Sequence, residues 1–206
     1  MCVGPTSNYG REQAWQLLAE WTLSENLRKH ALGVEACMIA CGEAEADRLG
    51  LTGPEHARER AALAELYSTT GLLHDFDYER YPTAEEHPFV GVRELERLGW
   101  PVELRTAILG HAQYSGVPRV THLAKSLFAC DELSGFLTAC ALVKPTKAIA
   151  DVEVLSVRKK LKDKAFARGV NRQDVIQGAA ELGVELDAHI AFCLEAMKKQ
   201  AEILGL

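Results

Sequence analysis

A chain of 206 residues suits one domain with a sizeable core, and its 48% hydrophobic and 25% charged content excludes a disordered or fibrous chain. The net charge of -6 argues against a general nucleic-acid binder, and no apolar run approaches the ~18 residues that span a bilayer. The first ten residues are polar, without the basic flank and apolar block of a secretory signal, so the six cysteines are expected as reduced, mostly buried thiols of a cytoplasmic protein.

The apolar periodicity is helical almost throughout, which predicts an all-α chain of one domain over residues 1–206. Thr22 and Glu25 have capping-box spacing and predict a long helix to a stop at Gly50, with Leu27, Ala31, Val34, Met38 and Cys41 as its apolar stripe. A second capping box, Thr52 and Glu55 around Pro54, starts a helix that reaches Leu72-Leu73. His74-Asp75-Phe76-Asp77-Tyr78 and a polar loop through Pro82 and Glu86 follow, then a helix over about 88–98 that ends at Gly99. Pro101 suits the first turn of the next helix, which ends near Gly110. A strongly apolar helix is predicted over about 120–143, and Pro145 ends it. Asn171 can cap a helix to Gly183, and Ile190, Leu194, Met197, Ala201 and Leu204 mark the last one.

Several ionisable residues fall where these helices should be apolar. His30 lies three residues after Leu27 and four before Val34, on the inward face of its helix. Alone it reads as a core histidine bonded to a carbonyl. Asp131 sits in the most apolar helix beside Cys130 and Leu133, where an unpaired carboxylate is costly. His74-Asp75 stands where a helix leaves the core. His87 and His111, near helix ends, read singly as surface or capping residues. Cys37 and Cys41, one turn apart, are expected as small core residues rather than a metal or disulfide pair, because the sequence offers no second pair at ligand spacing.

Taken in order, His30, His74-Asp75, His87, His111 and Asp131 resemble the ligand set of the HD-domain superfamily of metal-dependent phosphohydrolases. His87-Pro88-Phe89-Val90-Gly91 looks like the His-Pro-x-x-Gly element of its HDIG-type subgroup, and Ala129-Cys130-Asp131-Glu132-Leu133 like that subgroup's Ala-x-Asp-x-Leu helix. The resemblance covers about residues 25–143. It implies an HD-type helical bundle as the core, with the basic segment and C-terminal helices of 144–206 added to it.

It also implies one or two divalent transition metal ions, drawn from Mn, Fe, Co, Ni and Zn, which imidazole and carboxylate donors suit. In a two-metal form His30, His74 and Asp131 complete one site, His87 and His111 the other, and Asp75 bridges them. The activity implied is hydrolysis of a small phosphorylated substrate such as a nucleotide, by a metal-activated hydroxide. His74, Asp75 and Asp77 are the expected catalytic groups. Asp77 and Glu79 are candidates to relay a proton, with a solvated loop acid as the plainer account of each. This chain departs from the cyclic-dinucleotide phosphodiesterases of the superfamily: Phe76-Asp77 follows the His-Asp pair, Ala112 follows His111, and a Gly-Tyr-Pro signature is missing. The same ligand set resembles the superfamily's di-iron oxygenases, and a nucleotide-binding module without turnover is a further alternative.

Charge is unevenly spread. Residues 144–172 hold nine Lys/Arg against three acids, a local +6 in a chain of net -6. The segment is either a solvated helix face or a strip that attracts an anionic substrate, with Lys144 and Lys147 the residues expected to reach a phosphate.

Overall fold

A computed structural model describes residues 9–206 of the chain. Residues 1–8, with Cys2 and most of the polar N-terminal stretch, lie outside the described residues. The all-α expectation holds: ten α-helices and three short 3-10 turns, with no strand among the described residues. No helix among them is long and apolar enough to cross a membrane.

Helices α2 (Glu25–Arg48) and α3 (Ala57–Leu73) form an antiparallel pair. Two glycines let their backbones close up. A Cβ on Gly42 would lie 3.0 Å from Tyr67, and one on Gly71 would lie 3.0 Å from the Cα of Glu35. That approach delivers the end of α3, and so His74, to the flank of α2 that carries His30. α2 starts differently from expectation. Its N-cap is Ser24, whose side chain accepts from the Leu27 amide, while the Thr22 hydroxyl donates to the Phe76 carbonyl at 2.9 Å. The Thr22 side chain therefore fastens the chain just after the His-Asp pair instead of capping α2. Thr52 makes no cap either; a 3-10 turn, Pro54–His56, leads into α3.

α1 (Arg11–Trp21) falls outside the expected elements, although Ala14, Leu17 and Leu18 bury one face at helical spacing. It is clamped by Arg11, whose guanidinium donates twice to the buried carboxylate of Glu35, at 2.7 and 3.0 Å. Ser68 on α3 donates to the same carboxylate at 2.6 Å, so one buried acid ties α1, α2 and α3.

α4 (Phe89–Arg97) and α5 (Val102–His111) follow the polar loop, and α6 (His122–Leu142) runs through the core, its start capped by Thr121. α7 (Val154–Leu161), α8 (Arg172–Leu182), α9 (Leu186–Lys198) and α10 (Ala201–Leu204) share that core. Asn171 caps α8 as expected, and Gly183 closes it in the left-handed region. The predicted last helix is broken at Lys199–Gln200 into α9 and α10.

Part of the basic segment is structural. Arg158, Lys159 and Lys160 occupy the last turn of α7, where the helix dipole favours cations. Arg158 pairs with Asp187, Lys160 lies over the Phe166 ring, and Arg172 donates to the carbonyls of Asp163, Phe166, Ala167 and Val170. These contacts order residues 163–172.

Candidate metal centre

The six residues singled out by their order in the sequence meet at one point. His30 comes from the N-terminal half of α2, His74 and Asp75 from the end of α3, His87 from the turn before α4, His111 from the last residue of α5 and Asp131 from the middle of α6. Their donor atoms fall into two groups of three, each spanning no more than 4.8 Å: His30, His74, Asp131 and Asp75, His87, His111.

Asp75 faces both groups. Its Oδ2 lies 3.4 Å from Nε2 of His74 and 4.0 Å from Nε2 of His30. Its Oδ1 lies 3.3 Å from Nε2 of His87 and 3.2 Å from Nε2 of His111. On the first side, Oδ1 of Asp131 is 3.1 Å from His30 and 3.3 Å from His74, whose two Nε2 atoms are 3.3 Å apart. Acceptor atoms converge here on acceptor atoms, which needs protons or a cation between them.

Three of the imidazoles are held in one tautomer from behind. Nδ1 of His74 donates to the Gly71 carbonyl at 2.8 Å, Nδ1 of His111 to the Ile108 carbonyl, and Nδ1 of His87 to Oδ1 of Asp77 at 2.7 Å. Each bond places the proton on Nδ1 and turns the Nε2 lone pair toward the centre, as a metal-ligating imidazole requires.

Asp77 is thus corrected from a loop acid or proton relay to a positioning residue. It is 1% exposed, and its second oxygen accepts from the Gly91 amide at 2.7 Å. A Cβ on Gly91 would lie 2.7 Å from the Asp77 carboxyl carbon, so glycine at that place lets the carboxylate in. Glu79 is also reassigned: its carboxylate accepts from the amides of Leu23 and Ser24 at the entrance to α2.

The charge balance favours a cation. Burial opposes a proton on His74, yet the carboxylates of Asp75 and Asp131 overcome it and hold the imidazole well above its ordinary value. Burial works against the Asp75 carboxylate in turn, and His74, His111 and His87 hold it well below the usual range. His87 is desolvated but lifted by Asp75 and Asp77 to about 9. The protons on these groups occupy the place that a cation would take. Two imidazoles and two carboxylate oxygens on one side, and two imidazoles and one oxygen on the other, suit a borderline divalent ion. The residues present fit one or two such ions.

The centre opens to a pocket of about 670 Å³ whose wall also carries Tyr78, Gln113, Tyr114, Glu132, Asn171 and Asp174. Gln113 donates to Asp174 at 2.6 Å, and burial with the neighbouring Asp131 pushes Glu132 up to about 7. Among the described residues that line the pocket there is no lysine or arginine. Neither Lys144 nor Lys147 is on that wall. They lie beyond the end of α6, and the eleven helical steps from Asp131 to Leu142 already span about 16 Å. Tyr78, Tyr114, Glu132 and Asp174 were not singled out by sequence; no periodicity distinguishes a residue that lines a cleft from one that meets bulk water.

Comparison of the chain with protein-family models, with curated proteins and with solved structures found no match.

Proposed function

We propose that this chain is a metal-dependent phosphohydrolase of HD type that cleaves a small phosphate ester. The reading rests on one observation above the others: the two oxygens of Asp75 are divided between two pairs of imidazoles. One carboxylate so placed could serve two ions, as hydrolytic two-metal sites require. His30, His74, Asp75 and Asp131 would hold one ion, and Asp75, His87 and His111 the other. When bound, the ions supply Lewis acidity toward the phosphoryl group and lower the pKa of water.

The chain's own contribution is placement. Gly71, Ile108 and Asp77 lock the three imidazoles by their Nδ1 atoms, so little reorganisation is left for the reaction. The depth of His74 at 0% exposure excludes water from the inner side, while the pocket leaves the outer side open to substrate. Gln113, the Tyr114 hydroxyl and Asn171 offer hydrogen bonds to the leaving alcohol. Net reaction is attack of water on phosphorus with cleavage of the ester P–O bond, the departing oxygen taking a proton.

A second reading, oxidation of a polyol or phosphonate by a di-iron form of the same centre, is favoured by the pocket wall. With Glu132 and Asp174 on it and no lysine or arginine, the wall suits a neutral or cationic outer group better than a polyphosphate chain. Metal analysis followed by a screen of phosphate esters and nucleotides with Mn²⁺ and Co²⁺ tests the main reading, and O₂ uptake with Fe²⁺ tests the second. Asp75→Ala is expected to lower the metal held at this centre from about two ions to less than one and to abolish turnover. Full occupancy in that variant sinks the assignment of the centre; O₂-dependent product with no phosphate release replaces hydrolysis by oxidation.

A further inference from the structure

Two turns along α2 from His30, a second set of donors converges, and it is made of sulfur. Cys37 and Cys41 on α2, Cys130 on α6 and Cys193 on α9 are all buried, with His189 one turn before Cys193. The Sγ atoms of Cys41 and Cys130 are 3.7 Å apart, and Sγ of Cys193 lies 3.7 Å from Nε2 of His189. Cys130, His189 and Cys193 place one donor atom each within 4.8 Å of the others, and the Cys37 thiol lies beside them, donating to the Cys193 carbonyl at 3.9 Å. Two thiolates on a tetrahedral zinc ion, each at ~2.3 Å, would stand ~3.8 Å apart. A packed thiol pair makes a similar contact. What a packed pair does not produce is two sulfurs and an imidazole within 4.8 Å of one another, with two further buried thiols beside them.

A route in exists as well. A cavity of about 250 Å³, walled by His122, Leu182, Val184 and Phe192, has Cys41 and His189 on its surface. Among the described residues on that wall there is no Lys, Arg, Asp or Glu. Such a lining suits passage of a soft ion from thiol to thiol better than binding of a hydrated hard one.

We infer that Cys37, Cys130, Cys193 and His189 form a closed structural site for a thiophilic ion of the Zn²⁺ class, with Cys41 at its mouth. Binding exchanges the three thiol protons for the ion. In the metal-free form the His189 ring donates from Nε2 to the Ala129 carbonyl at 3.0 Å. Taking an ion at Nε2 moves that proton to Nδ1 and gives up this bond. The site would staple α9 to α2 and α6, which a core of this size does not strictly need, so its effect is read as binding and added thermal stability.

The test is a titration of the reduced full-length protein with Co²⁺, followed by absorption. Cobalt bound by thiolate gives sulfur-to-metal charge transfer in the near ultraviolet; the imidazole and carboxylate centre has no sulfur and gives none. About one Co²⁺ per chain should develop that band, and Zn²⁺ should displace it. The band should persist in Asp75→Ala, which separates this site from the first. It should vanish in Cys193→Ser and survive in Cys140→Ser, whose buried thiol on α6 lies outside the cluster. If Cys193→Ser does not fold, Cys37→Ser carries the same expectation. Wild-type protein, reduced and saturated with cobalt, that shows no thiolate band overturns the inference, as does an undiminished band in Cys193→Ser.

Discussion

Cys130 and Asp131 are neighbours on α6, and they face two different chemistries. Asp131 turns to the open pocket and joins His30 of α2; Cys130 turns inward and meets Cys41 of the same α2. The same two helices therefore present two donor clusters two turns apart. One is built of imidazole and carboxylate and is reached by water. The other is built of thiols and buried in the core behind a wall of uncharged side chains. Burial alone does not distinguish the two clusters, since His74 is as deep as Cys130. What differs is the hardness of the donors and an open side: hard donors with access suit exchangeable substrate, and soft donors without it suit a permanent ion.

The comparison can be broken at its most asymmetric point, Asp77. Only the open centre has such a carboxylate behind a ligand. In Asp77→Asn the amide cannot accept from both His87 Nδ1 and the Gly91 amide, so His87 loses the bond that fixes its tautomer. Loss of such an orienting partner typically costs 10–100-fold in metal affinity or activity. We expect the affinity for the second ion to fall in that range, the first ion and the thiolate–cobalt band to stay, and kcat to fall. Isothermal titration with Mn²⁺ reads this; unchanged affinity would mean that Asp77 is structural only.

A smaller effect should touch both clusters at once. α8 packs against α6 through Gly178, where a Cβ would lie 2.6 Å from the Cα of Ala129. The obstacle is backbone, which cannot swing aside as a side chain can. Gly178→Ala should lower stability by about 1–3 kcal/mol, the usual cost of overpacking. Because Ala129 precedes Cys130 and Asp131, the shift should weaken cobalt and manganese binding alike. A denaturant midpoint equal to that of the wild type would show that α8 yields freely.

The sequence carries much of the first cluster and little of the second, for a physical reason. His30 and Asp131 are polar residues at apolar helical positions, and that conflict is visible in one dimension. His87 and His111 become visible through their order and, for His87, the spacing to Gly91, whose missing side chain admits Asp77. Cysteines raise no such conflict. They are at home in a core, so Cys37, Cys41, Cys130 and Cys193 look like packing until the fold brings α2, α6 and α9 together. Most helices were legible from period 3.6, α1 and α7 excepted, and so was the Asn171 cap, but the caps of α2 and α3 were not: Thr22 and Thr52 have capping spacing, yet tertiary contacts took Thr22 and a 3-10 turn displaced Thr52.

The smallest expected effect concerns the basic segment. Charge density alone marks Lys144 and Lys147 as partners for a phosphate, and geometry argues otherwise. About 16 Å of helix separate Asp131 from the end of α6, and both lysines lie beyond it. At physiological ionic strength the Debye length is about 8 Å, so their field at the metal centre is mostly screened. Lys144→Ala with Lys147→Ala should leave KM within about twofold of the wild type at that ionic strength. At low salt the screening length grows past the separation, and a modest rise in KM should emerge there and vanish as salt is added. A tenfold rise in KM that persists in salt would mean that substrate bridges the distance itself, a long anionic chain with one end at Asp75 and the other on the basic segment. Phosphate ester hydrolysis would then extend to a polyanion, and the acidic pocket wall would have to be crossed rather than occupied.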